Sequence, residues 1–271
     1  MIQPLPKMKP NDMEDFIMKH RRNRKTRRKI ELIIKMGVFI FIMTFFFIPK
    51  ESPTQTTDKT LSEISPMKYF ISVPNLSQKE IPTGCESVST VALLQYFGID
   101  ITVDEFIESY LPRQGFYRQD GLLFGPNPHE YFVGNPYSKN SLGCYPKVIL
   151  KALNSMKIEE HPNMKDLTFK EVTGIDLQTL ALEYIQQDIP ILLWITIDMK
   201  PSHKGMQYYL EDGTLYTWTA QEHCVVLCGY DEQHYYLMDP LKNGEIVSYA
   251  KELVEKRYEE LGKYGIVIIP I

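Results

Sequence analysis

Residues 81–98 read Ile-Pro-Thr-Gly-Cys-Glu-Ser-Val-Ser-Thr-Val-Ala-Leu-Leu-Gln-Tyr-Phe-Gly. Val88, Val91, Ala92 and then Gln95, Tyr96 and Phe97 recur at helical spacing and Gly98 interrupts them, so the stretch predicts a helix with Cys85 in its first turn. A thiol placed there faces unpaired backbone N–H groups and the positive end of the helix dipole, which together favour thiolate. The expectation is a cysteine with a lowered pKa.

Toward the C-terminus, Thr102-Val103-Asp104-Glu105 has the capping-box pattern and opens a second short helix that stops before Pro112. Residues 115–145 are rich in Gly, Pro, Asn and aromatics without periodicity, which predicts a long functional or heavily packed loop. Pro146 starts a helix carrying Val148, Ile149, Ala152, Leu153 and Met156, and Asp176 caps another carrying Leu177, Leu180, Ala181, Tyr184 and Ile185. Strand-like runs follow at 189–197, 223–230 and 235–239, with hairpin signals at Asp212-Gly213 and Asn243-Gly244. Residues 248–261 read as a helix ended by Gly262, and 266–269 as a last strand. A short β-like run at 69–73 precedes the cysteine helix. This order predicts one α+β domain over residues 69–271, its N-terminal helices packed on a mostly antiparallel sheet.

Two further residues complete a chemistry. His223 opens one strand and can form the ion pair with a thiolate; Asp239 closes the next and can hold the imidazole by accepting from its other ring nitrogen. Gln78, seven residues before Cys85, can set its amide beside the Cys85 backbone N–H as an oxyanion hole. Singly, each has an ordinary explanation: a small core cysteine, a satisfied core histidine, a turn aspartate. The pairing also carries a condition of parity. A three-residue turn at Asp231, Glu232 and Gln233 sets Asp239 opposite Val225, on the face of His223. A four-residue turn reverses that unless a bulge restores it, for which Gly229 is available. Gly84, beside the cysteine, and Trp218, five residues before His223, are candidate substrate contacts, Trp218 as a wall of the cleft or as packing.

The residues also resemble a known family. Val73-Pro74 through Gln78, Pro82-Thr83-Gly84-Cys85-Glu86-Ser87, Leu94-Gln95-Tyr96-Phe97-Gly98, Tyr131-Phe132-Val133-Gly134-Asn135-Pro136, Gly143-Cys144-Tyr145-Pro146, Glu222-His223-Cys224-Val225-Val226, Gly229-Tyr230-Asp231 and Asp239-Pro240 are similar to the bacteriocin-processing (double-glycine) cysteine peptidases, peptidase family C thirty-nine, in their stand-alone branch. The resemblance spans most of residues 69–271. It implies a papain-like fold and thiol-dependent peptide-bond hydrolysis, with Cys85 as nucleophile, His223 as base, Asp239 as its orienter and Gln78 in the oxyanion hole. Family members fused to transporters carry an ATPase domain and process double-glycine leaders in the cytoplasm, whereas this sequence has no Walker-type glycine-rich loop, which argues against leader processing; the insertion at 115–145 and the extracytoplasmic location expected below point to a different peptide or protein substrate.

The N-terminal part differs in kind. The net charge of −4 divides into +7 over residues 1–30 and −11 over the remainder. Residues 36–48, MGVFIFIMTFFFI, carry no charge, and counting back to Ile30 across Glu31 and Lys35 gives a helix about 28 Å long, just enough to span a bilayer with Glu31 outside it. Lys35 can snorkel to the headgroups. The basic flank predicts a cytoplasmic N-terminus and an extracytoplasmic catalytic domain, and Ile48-Pro49-Lys50-Glu51 lacks the small residues of a signal-peptidase site. The expected organisation is a basic cytoplasmic tail (1–29), one transmembrane signal anchor (30–48), a flexible tether (49–68) and the peptidase domain. A basic run beside an apolar span, followed by an acidic body, argues against a nucleic-acid arm.

The four cysteines include no C-x-x-C pair, and no metal or other cofactor is expected. Cys224 and Cys228 read as core packing, and His20, His129, His161, His203 and His234 as surface residues. The reading is thus a membrane-tethered thiol peptidase. Its rivals are a catalytically silent module of the same fold that holds peptide or cell-wall ligands, and a thiol amidase or transglutaminase.

Overall fold

Strand β10 (Glu222–Tyr230) is buried at every position, as β-branched and small residues at the centre of a sheet covered on both faces should be. In the computed structural model, which describes residues 69–159 and 161–271, it pairs antiparallel with β7 (Ile191–Thr196) on one side and β11 (His234–Asp239) on the other. β12 (Glu245–Ala250) extends the sheet beyond β11, β13 (Gly265–Pro270) and β6 (Leu167–Glu171) extend it beyond β7, and β1 (Tyr69–Phe70) pairs with the far end of β10. All these pairings are antiparallel.

Helix α1 (Cys85–Tyr96) packs on β10 and β7. Its residues 85–94 are all buried, and Gly98 (φ +78°) lets the chain turn away after it. The short α2 (Val103–Glu105) begins where Thr102 Oγ1 accepts the Glu105 N–H at 3.1 Å, as its pattern predicted, and runs on as a π-helical turn to Tyr110. Helix α3 (Pro146–Ile158), with proline at its first position, packs on β6, and α5 (Lys251–Glu260) packs on β7. Asp176 stands at the N-terminus of α4 (Leu177–Tyr184), but its carboxylate accepts from Lys263 Nζ at 2.8 Å instead of capping the helix with its side chain.

Two predicted elements change. The segment 115–145 is not a structureless loop. Its hairpin of β3 (Tyr117–Gln119) and β4 (Leu122–Phe124) joins β8 (His203–Tyr209) and β9 (Leu215–Ala220) in a second, four-stranded sheet, while β2 (Arg113–Gln114) pairs with β5 (Phe132–Val133). These strands are two or three residues long and β3 is exposed throughout, so no alternation marks them. The predicted helix 248–261 starts later, at Lys251, because Ser248, Tyr249 and Ala250 pair with β11. The expected basic tail, transmembrane anchor and tether lie outside the described residues. Among the described residues, no helix is long and apolar enough to cross a membrane.

Candidate active site

The β10–β11 connection decides where Asp239 points. Tyr230 faces Tyr235, so Asp231 to His234 form a four-residue turn, the length that puts Asp239 on the wrong face. The register then shifts between Leu227 and Gly229, and past this bulge Val226 faces Met238. Asp239 is thereby returned to the side of His223. The glycine at the bulge is required by space: a Cβ on Gly229 would lie 2.5 Å from the Tyr69 carbonyl oxygen and 3.1 Å from the Phe70 Cα, where β1 crosses. The result is a hydrogen bond of 2.7 Å between His223 Nε2 and Asp239 Oδ1, with the two residues 1% and 4% exposed. Asp239 Oδ1 also accepts the Leu241 N–H at 2.9 Å. Burial by itself would lift the Asp239 pKa, but the His223 hydrogen bond and charge, the Leu241 N–H and the Lys242 ammonium hold it below the usual carboxylate range.

Cys85 stands at the first position of α1, where the sequence placed it, but its thiol has different company. Its Sγ donates to Glu86 Oε2 at 3.3 Å, and the Cys85 residue is buried. The pKa is pushed well above the ordinary thiol value by burial first, then by the carboxyl groups of Glu86 and Glu222 and by Cys224. This corrects the expected thiolate: a low-dielectric site with two neighbouring acids outweighs the helix terminus. Glu86 Oε1 accepts the Cys144 N–H at 2.6 Å, tying the start of α1 to the loop before α3. Burial raises Glu86 to about 7 against the pull of its hydrogen bonds, and raises Glu222 well above the normal range with help from Glu86.

Gln78 is 3% exposed. Its backbone N–H reaches the Pro240 carbonyl at 3.1 Å, while its side-chain Nε2 donates to the Pro82 carbonyl at 3.3 Å, leaving Oε1 buried without a hydrogen-bond partner. The loop that leads into Cys85 is therefore fastened beside Asp239. Gly84 follows from packing, since a Cβ there would meet the Ile81 Cγ2 at 2.3 Å. Trp218 stacks on Tyr145 with ring centroids 5.4 Å apart and abuts Gly143 beside the two glutamates. Cys224 and Cys228 are buried in β10, as expected of packing residues. His129 is half-buried against Tyr145 instead of lying on the surface, with ring centroids 4.7 Å apart.

Sequence reasoning passed over Glu86 and Glu222. A signal was present: each is an acid directly beside a candidate residue, within a segment that carries no other acid or base but His223. Among the described residues, Cys85, Glu86 and Glu222 form the trio whose donor atoms lie within 4.8 Å of one another. Spacing alone would let a cation sit there, but Glu86 is already engaged by an S–H and an N–H donor.

A cysteine opening a helix that packs on an antiparallel sheet, two strands of which carry a buried His–Asp pair, defines a cysteine-peptidase type of α/β fold. The chain belongs to the Peptidase_C39 like family, which it matches over residues 70–266. It is 24% identical over 233 residues to the uncharacterized protein YvpB of Bacillus subtilis (strain 168), covering 84% of this chain and 87% of that protein. A crystal structure of a candidate C39-like peptidase from Bacillus anthracis superposes with a TM-score of 0.64 at 25% identity, over 76% of this chain and 98% of the other. The peptidase domain of Streptococcus ComA, a bi-functional ABC transporter, gives a TM-score of 0.39 at 12% identity, over 74% and 96%.

Proposed function

We propose that the protein is a membrane-anchored cysteine peptidase that hydrolyses peptide bonds outside the cytoplasm. The Cys85 sulfur attacks the scissile carbonyl carbon and its proton passes to His223, whose ring Asp239 holds. The Cys85 N–H and the Gln78 amide receive the developing oxyanion. His223 then protonates the departing amine, and water releases the acyl group from sulfur. The reading is carried by the buried 2.7 Å contact of His223 with Asp239, in a chain of peptidase family whose helix α1 begins with the cysteine. It requires the sulfur to turn from Glu86 toward His223. Incubating the full chain with a mixed peptide library and sequencing the new termini by mass spectrometry tests it. Cys85→Ser and His223→Ala should each lower turnover by at least about 1,000-fold. Cleavage that survives Cys85→Ser removes the nucleophile assignment.

The anchoring rests on the +7 charge of residues 1–30 beside the uncharged run 36–48. Protease added to intact cells should remove a C-terminal tag and spare an N-terminal one; a protected C-terminus overturns the topology. One observation favours the silent binding module instead, namely the buried thiol bonded to Glu86. A wild-type chain that retains peptides yet cleaves none would establish it.

A further inference from the structure

Two glutamates without a cation sit behind Cys85. Glu86 is fully buried and Glu222 is 8% exposed. Donor atoms of the two lie within 4.8 Å of each other and of the Cys85 sulfur. Among the described residues, neither makes an ion pair with Lys, Arg or His. From α1, β10 and the loop before α3 the titratable groups facing them are the thiols of Cys85, Cys224 and Cys144, and from that loop and β9 the phenols of Tyr145 and Tyr216. From β7, Thr196 is the cross-strand partner of Glu222, and its hydroxyl is buried with no hydrogen-bond partner. Two buried carboxylates this close cannot both be ionised without a counter-ion.

The hydrogen bonds say which one holds the proton. Glu86 accepts at both oxygens, from the Cys144 N–H and the Cys85 S–H, as an anion does. Glu222 Oε1 is buried and accepts nothing, which suits a neutral acid.

We propose that Glu86 and Glu222 form a proton-sharing pair that restrains the nucleophile: Glu222 stays neutral, and Glu86, when ionised, grips the Cys85 thiol as its hydrogen-bond acceptor and opposes thiolate formation. Glu86 is a positioning residue that acts through Cys85. Protonated from solvent, Glu86 no longer sets an anion 3.3 Å from the sulfur, and the thiol is free to give its proton to His223. The device is therefore released on the acid side and engaged on the alkaline side of the Glu86 titration. The inference rests on Cys85 being the nucleophile, but its test uses no peptide substrate. A chain that cleaves nothing and still shows the behaviour below would lose the peptidase reading and keep the pair.

Two measurements on the full chain decide it. Infrared spectroscopy at about pH 9, where Glu86 is ionised, should show a neutral carboxylic-acid band that disappears in Glu222→Gln; a wild-type protein with no such band has both acids ionised and overturns the proposal. Alkylation of Cys85 by iodoacetamide, followed by peptide mass spectrometry, should accelerate less than tenfold per pH unit above about pH 7 in the wild type. Glu86→Gln should restore the ordinary tenfold slope and label Cys85 at least about tenfold faster at pH 8. An unbroken wild-type slope overturns the proposal without reference to any variant. Slower labelling in a folded Glu86→Gln would make Glu86 a base for the thiol and would overturn it equally.

Discussion

Glu222 and His223 are neighbours on β10, face opposite ways, and bury polar groups by opposite means. On the His223 face, the imidazole meets a carboxylate on the adjoining strand, and each is the other's partner. On the Glu222 face, two carboxyl groups meet a thiol beneath α1. The first arrangement holds an aspartate below its usual pKa, the second lifts two glutamates above theirs. Burial raises the carboxyl pKa on both faces, and only Asp239 has partners, His223 foremost, strong enough to reverse it.

The comparison can be broken most severely at Asp239. Asp239→Ala leaves a ring nitrogen of His223 and the Leu241 N–H buried without their acceptor, and chemical denaturation should show a loss of about 4 kcal/mol. An equally stable variant would mean that the pair contributes nothing to the fold.

The two faces also differ in their pH dependence. Asp239 is depressed in the folded state, so its contribution is present above the unfolded pKa of about 4 and is lost as pH falls through the lower folded value. Glu86 is raised to about 7, so between about pH 4.5 and 7 the folded state binds more protons than the unfolded chain and stability falls as pH rises. Thermal unfolding from pH 5 to 8 should register a decline of at least about 3 kcal/mol, the share of Glu86, to which the neutral Glu222 adds. Glu86→Gln should reduce it and leave the part that Glu222 contributes; a decline that remains unchanged would assign the slope to other groups.

A smaller effect is expected where the faces are set in register. Gly229→Ala drives a Cβ into the Tyr69 carbonyl and should cost about 2 kcal/mol, with faster hydrogen exchange at the β1–β10 pairing. Unaltered exchange would show that β1 does not hold the bulge. Thr102→Ala, remote from both faces, removes one capping bond and should cost about 1 kcal/mol without changing the pH slope.

What was legible in the sequence follows from periodicity and local rules. The helices at Cys85 and Pro146 and the strand 223–230 carry long apolar patterns that survive any tertiary context. The hairpin 117–124 does not, because its strands are too short and exposed to alternate. The 248–250 strand was hidden because its residues continue directly into a helix, and pairing with β11 overrode their local preference.

The sequence by itself determined the cysteine at the helix start, the His and Asp on adjoining strands, and the glycine beside the bulge. Each depends on spacing along one chain segment, or on the single residue type that fits. Tertiary structure decided what those groups do to one another. Parity was settled by a four-residue turn compensated by a shift beside Gly229. The protonation of Cys85 was settled by burial against Glu86 and Glu222, residues 136 positions apart in sequence. A helix terminus acts locally and can be read from the sequence; desolvation and the charge of a distant carboxylate exist only once the chain has folded around them.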